Sequence, residues 1–167
     1  MVDEICDLFP SKFFHAGFDE TWFTRRLSRI QADGVAPLKN GKVIDANEYF
    51  VQQLNYVTEL LRANGKTGMA WMDIFINESL MDQFKNVPKD FYYPAWYYDV
   101  DTSEMMKWIR VMNKYKLKYF VQPSIDNWND LYSTQMTYDN ADLFLPLGKE
   151  NGALGMIQCL WTDAMIT

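Results

Sequence analysis

Phe13-Phe14-His15-Ala16-Gly17-Phe18-Asp19-Glu20-Thr21-Trp22 is the stretch on which the reading of this chain turns. Its apolar first half predicts a strand over 12–18. The run stops at two adjacent carboxylates, flanked by His15 and Trp22. A buried charge is costly unless it is paired or used. Gly17 lets the backbone turn tightly or approach a ligand. The pattern is that of a site mouth at the carboxyl end of a strand. A strand end followed by an Asp-capped helix would look the same at this length.

Composition sets the bounds around that stretch. A chain of 167 residues with 49% hydrophobic and 23% charged residues is globular and fits one domain. Aromatics reach 16%, with 6 Trp and 10 Tyr, which suits stacking on sugars as well as a bulky core. The net charge of −6 argues against a nucleic-acid partner, because phosphate recognition uses clustered Lys and Arg. Cys6 and Cys159 lie far apart and read as two buried thiols. A single His excludes multi-His metal centres, and no metal or cofactor is expected. No apolar run is long enough to span a membrane, so no membrane partner is expected.

Outward from the opening stretch, elements alternate. Val2, Ile5, Cys6 and Leu8 make a short helical pattern, stopped by Phe9-Pro10. Residues 24–41 are polar, with Gly34, Pro37 and Gly41, and read as a loop or irregular helix. Asp45-Ala46-Asn47-Glu48 resembles a capping box, and Ala46, Tyr49, Phe50, Leu54, Val57 and Leu61 continue at helical spacing to a stop at Gly65. A second strand is predicted over 67–75 and a short helix over 77–86. A third strand runs over 90–98, with Pro94 inside it. Asp101 to Glu104 caps a helix whose inner face is Met105, Trp108, Ile109 and Met112. The fourth strand is 118–122. A helix over 138–151 should be kinked or shortened by Pro146 and closed by Gly152. The fifth strand is 153–160.

Strand–helix alternation implies a parallel sheet with right-handed crossovers, and the apolar strands suit cover on both faces. In such folds function sits at the carboxyl edge of the strands. Asp19/Glu20, Trp71/Asp73, Tyr97/Asp99, Trp128 and Trp161/Asp163 all fall there. Any one of them could be a cap or a core residue. Together they describe a ring of aromatics and acids, the lining of a carbohydrate pocket.

Glycoside hydrolysis usually takes two carboxyl groups on opposite sides of the scissile bond. Asp19 and Glu20 are neighbours and cannot straddle a sugar. Either the second acid comes from another strand, such as Asp73, Asp99 or Asp163, or the substrate's own 2-acetamido oxygen is the nucleophile. The second case needs one acid for the leaving oxygen and one carboxylate to hold the acetamido N–H.

The run from Phe9-Pro10 through His15-Ala16-Gly17-Phe18-Asp19-Glu20 resembles the signature of family-20 glycoside hydrolases, the β-N-acetylhexosaminidases. That pattern is a Phe-Pro followed by a strand carrying His-x-Gly-Gly-Asp-Glu; Phe18 stands where the family usually has its second Gly. The resemblance implies that Glu20 is the general acid/base and that Asp19 orients the acetamido group and stabilises an oxazolinium intermediate. His15, Trp71, Asp73, Asp99 and Trp128 become substrate-binding residues, Trp128 from a loop spanning 124–129. Tyr97 or Tyr98 becomes the tyrosine on the acetamido carbonyl, with Tyr97-x-Asp99 favouring Tyr97. Trp161-x-Asp163 resembles the final-strand Trp-x-Glu of the pocket floor, with Asp in place of Glu.

The family fold is a (β/α)8 barrel, which typically takes ~250 residues. The expectation is therefore an α/β chain of five parallel strands alternating with helices. Residues 1–167 would form the C-terminal part of the barrel, strands four to eight, without the first three. Open sheet edges would then favour self-association. The function implied is retaining, substrate-assisted release of terminal β-linked N-acetylhexosamine by the intact parent, the fragment alone being inactive. A non-catalytic carbohydrate-binding or degenerate barrel fragment is the competing expectation. A retaining glycosidase of another barrel family, with a distant Asp as nucleophile, is a third.

Overall fold

The computed structural model describes residues 1–20, 38–39, 42–43, 46–77, 81–124 and 134–160. The chain divides into two compact units, Met1–Phe91 and Tyr92–Thr167. Both are α/β, and each is built on a pair of parallel strands.

In the first unit, α1 spans Val2–Leu8 and β1 spans Phe13–His15. Two short strands, β2 (Leu38–Lys39) and β3 (Lys42–Val43), pair antiparallel. They pair where a loop or irregular helix was expected over 24–41; residues 24–37, 40 and 41 of that segment lie outside the described part. Helix α2 is Ala46–Ala63, followed by β4 (Thr67–Met69), α3 (Asp73–Asn77) and a 3-10 turn at Met81–Asn86. The buried face of α2 carries Phe50, Leu54 and Leu61, as its spacing requires. These residues join a core that includes Met72, Phe75, Phe84 and Phe91.

Strand β1 lies parallel to β4 in the register Phe13↔Thr67, Phe14↔Gly68 and His15↔Met69. Backbone bonds carry this alignment past both strand ends. Thr67 N–H donates to the Lys12 carbonyl at 2.7 Å, Ala16 N–H to Met69 at 2.8 Å and Trp71 N–H to Gly17 at 2.9 Å. The regular strands are shorter than the apolar runs of 12–18 and 67–75. Gly17 and Phe18, at φ 78° and 77°, leave the extended region, and Asp73 already opens α3. Apolar run length overestimates a strand when the same residues line the turn that follows it.

The second unit comprises β5 (Tyr92–Trp96), α4 (Thr102–Lys114), β6 (Lys118–Gln122) and α5 (Thr134–Glu150). Strands β5 and β6 run parallel, from Tyr92↔Lys118 to Trp96↔Gln122. Tyr97 N–H donates to the Gln122 carbonyl at 3.3 Å. N–H directions alternate along a strand, so position 94 points away from β6, and Pro94 removes no donor from that ladder. Met105, Trp108, Ile109 and Met112 of α4 are all buried, and Asp101 caps the helix by accepting from the Ser103 and Glu104 N–H groups.

Helix α5 begins four residues before the expected start at Tyr138 and runs through Pro146. Pro146 sits inside the helix, four residues before its end, and withholds one N–H from the helical ladder, while Phe144 beside it is fully buried. The expected fifth strand is reduced to two parallel bridges, Val121↔Met156 and Ser124↔Cys159.

Three helices end alike. Lys66 N–H donates to the Leu61 carbonyl and Gly65 N–H to Arg62 at the end of α2. Leu117 to Met112 and Lys116 to Asn113 repeat the pattern after α4, and Ala153 to Gly148 and Gly152 to Lys149 after α5. Each is a Schellman turn, and the residue at its left-handed position has positive φ: Gly65 67°, Lys116 54°, Gly152 93°. Each turn reverses the chain into the extended segment that follows its helix. No helix among the described residues is long and apolar enough to cross a membrane.

Candidate active site

The ladder between β1 and β4 determines what meets at the carboxyl end of β1. Its register puts His15 beside Met69, and its extension ties Gly17 to Trp71. The His15 and Trp71 rings then lie with centroids 4.0 Å apart and planes at 51°. His15 Nδ1 accepts from the Gly17 N–H at 3.1 Å. An accepting Nδ1 places the neutral ring's proton on Nε2, where it is available as a donor. Desolvation against its neighbours lowers the His15 pKa below the ordinary 6.5, and the Asp19 carboxylate opposes that by raising it. The imidazole is therefore mostly neutral near pH 7.

Beyond Gly17 the backbone turns through left-handed conformations. Gly17, Phe18 and Glu20 have φ of 78°, 77° and 43°. The turn swings Asp19 and Glu20 out of the strand, and both side chains are exposed. Phe18 is held in its strained geometry by its ring, which meets Phe50 edge-on at 5.4 Å and 78°. Phe50 contacts Phe75 at 5.0 Å, and Phe75 contacts Phe84 at 5.4 Å, both edge-on. The acid turn is thus anchored in the core of its unit. Below it, Asp73 is buried, 2% exposed, and its Oδ2 accepts from the Glu20 backbone N–H at 3.1 Å.

The second unit carries Tyr97 and Asp99 just past β5. Burial raises the Tyr97 pKa, and Asp99, Asp101 and Glu104 add to the rise, so the phenol stays protonated and can donate. Tyr98 packs on Trp96, ring centroids 5.2 Å apart, and hydrogen-bonds Cys159. Asn140, fully buried in α5, donates from Nδ2 to the Tyr97 carbonyl at 3.0 Å and to the Asp99 carbonyl at 2.8 Å. The sequence reading missed this residue. Its signal was a polar side chain one helical turn before the buried Phe144, on the face that should be apolar. Trp128, Trp161 and Asp163 lie outside the described residues. No group of His, Cys, Asp or Glu among the described residues could hold a metal ion.

A parallel α/β chain with two exposed neighbouring carboxylates and an aromatic wall at the carboxyl end of a strand has the features of a glycoside hydrolase. The chain belongs to glycosyl hydrolase family 20: the model of that family's catalytic domain matches residues 1–167. Membership implies hydrolase activity on N-acetylhexosamine glycosides and a catalytic domain of the TIM-barrel type. A search of curated proteins finds no match to the chain.

Proposed function

We propose that this chain carries the acid pair of a retaining exo-β-N-acetylhexosaminidase that uses its substrate as nucleophile. The observation that carries the reading is the turn at Gly17 to Glu20, which presents adjacent exposed carboxylates too close together to flank a glycosidic bond. Glu20 gives its proton to the leaving glycosidic oxygen. The 2-acetamido oxygen attacks the anomeric carbon as that bond breaks. Asp19 accepts from the acetamido N–H and stabilises the oxazolinium that forms. Glu20, now a carboxylate, takes a proton from the water that opens the ring, and configuration is retained. His15 offers Nε2–H to a sugar hydroxyl, and Trp71 lines the pocket. Tyr97 is assigned to the acetamido carbonyl, because Tyr98 is already engaged by Trp96 and Cys159. Asp99, Trp128, Trp161 and Asp163 complete the sugar contacts in this reading.

The chain is read as strands four to eight of the barrel, inactive by itself. Phe9 and Phe13, 62% and 53% exposed, leave apolar surface around β1 that neighbouring barrel strands would cover. Glu20→Gln in the full-length enzyme should lower hydrolysis of chitobiose by about two orders of magnitude or more. Unchanged activity would sink the proposal. A binding module is the second reading, favoured by Asp163 in place of the family's Glu. Calorimetric binding of an N-acetylglucosamine thiazoline by a full-length enzyme without turnover would support it.

A further inference from the structure

We infer that Asp73 is a positioning residue for the general acid, acting through the backbone of Glu20 and not as a sugar contact. The inference rests on the proposed role of Glu20. Asp73 is 2% exposed, so little of it faces a substrate. Its Oδ2 accepts from the Glu20 N–H at 3.1 Å, across 53 residues of sequence. Glu20 is a non-glycine residue at φ 43°, two residues after Phe18 at 77°. Such conformations persist only where surrounding contacts over-determine them. Two contacts do so here. The Phe18 ring against Phe50 fixes the start of the turn, and the Asp73 carboxylate fixes its end. Asp73 is itself placed by its position at the start of α3, two residues after Trp71, whose N–H is tied to Gly17. One short segment thus supplies both the aromatic wall and the clamp on the acid. A general acid displaced by even a fraction of an ångström delivers its proton poorly, whereas a sugar contact would act on binding.

The test compares leaving groups in the full-length enzyme. A misplaced acid slows substrates that need protonation and spares those that do not. For Asp73→Ala we expect kcat on chitobiose to fall about tenfold or more, with KM little changed. The rate on 2,4-dinitrophenyl N-acetylglucosaminide should change less than about threefold, and Asp73→Asn, which keeps an acceptor oxygen, should recover most of the loss. Equal slowing of both substrates, or a raised KM at constant kcat, overturns the inference. Should Asp73→Ala not fold, Asp73→Thr carries the same comparison. Glu20→Gln is measured alongside. If it shows the leaving-group contrast and the Asp73 variants do not, only this inference falls. If it shows none, the assignment of Glu20 falls and this inference with it.

Discussion

The imidazole of His15 lies against the indole of Trp71, with ring centroids 4.0 Å apart, while its Nδ1 accepts the Gly17 N–H. The two residues sit at the ends of neighbouring parallel strands and form one wall of the candidate site. Because His15 is the only histidine in the chain, its titration can be followed without assignment. Its pKa is lowered in the folded state, chiefly by desolvation. The unfolded chain therefore binds the proton more readily, and the contribution to stability is present above pH ~6.5 and lost as pH falls through the folded value. An NMR titration should give a midpoint below 6.5 and an Nε2–H tautomer. Asp19→Asn should move the midpoint further down, since Asp19 is the charge that raises it. An upward move would contradict this account.

Phe18 tests how strain and packing compensate. A left-handed conformation costs a non-glycine residue about 1–2 kcal/mol, and an edge-on aromatic pair returns about 0.5–1.5 kcal/mol. Phe18→Ala keeps the strain and loses the ring contact. Phe18→Gly loses the contact but relieves the strain. Urea unfolding should place Phe18→Gly about 1 kcal/mol above Phe18→Ala, and equal stability of the two would show that the backbone at Phe18 is not strained.

The three Schellman turns make a matched set. Lys116 occupies, at φ 54°, the position held by Gly65 and Gly152 in the other two. Lys116→Gly should stabilise the chain by up to about 1 kcal/mol, and Gly65→Ala should cost about 1 kcal/mol. A Cβ on Gly65 meets nothing within 4 Å, so any loss there reports backbone strain alone. Thermal melts of the two variants should move in opposite directions.

Gly68 is constrained differently. It lies in β4 at an ordinary φ, but an added Cβ would sit 1.7 Å from Cε2 of the buried Phe91. Gly68→Ala should destabilise by about 1–3 kcal/mol, and a Phe91→Leu background should recover part of that by making room. Additive losses in the double variant would show that Phe91 is not the obstacle.

Periodicity alone was enough for α2, α4 and β6. Helical spacing from Ala46 to Leu61, the Asp101 cap and the apolar run at Lys118–Gln122 each specify a local structure that packing then accepts. Elements shaped by distant partners were not legible. Strand β1 ends at His15 because the next residues turn left-handed, and Phe18 can do so because Phe50, far along the chain, holds its ring. The β2–β3 hairpin is too short to carry a period of its own.

The same division holds for the site. Which residues bear chemistry was legible, because Asp19, Glu20, His15 and Trp71 are costly or unusual at the end of apolar runs, and burial energetics act on residue type. What each one touches was decided by tertiary structure. The clamp of Asp73 on Glu20 spans 53 residues, and the hold of Asn140 on the Tyr97–Asp99 backbone spans 43 and 41. A hydrogen bond depends on distance and angle between groups whose separation along the chain carries no information about either. Residue chemistry therefore belongs to the sequence, and the pairing that positions it belongs to the parallel register of β1 with β4 and the packing of α5 against β6 and α4.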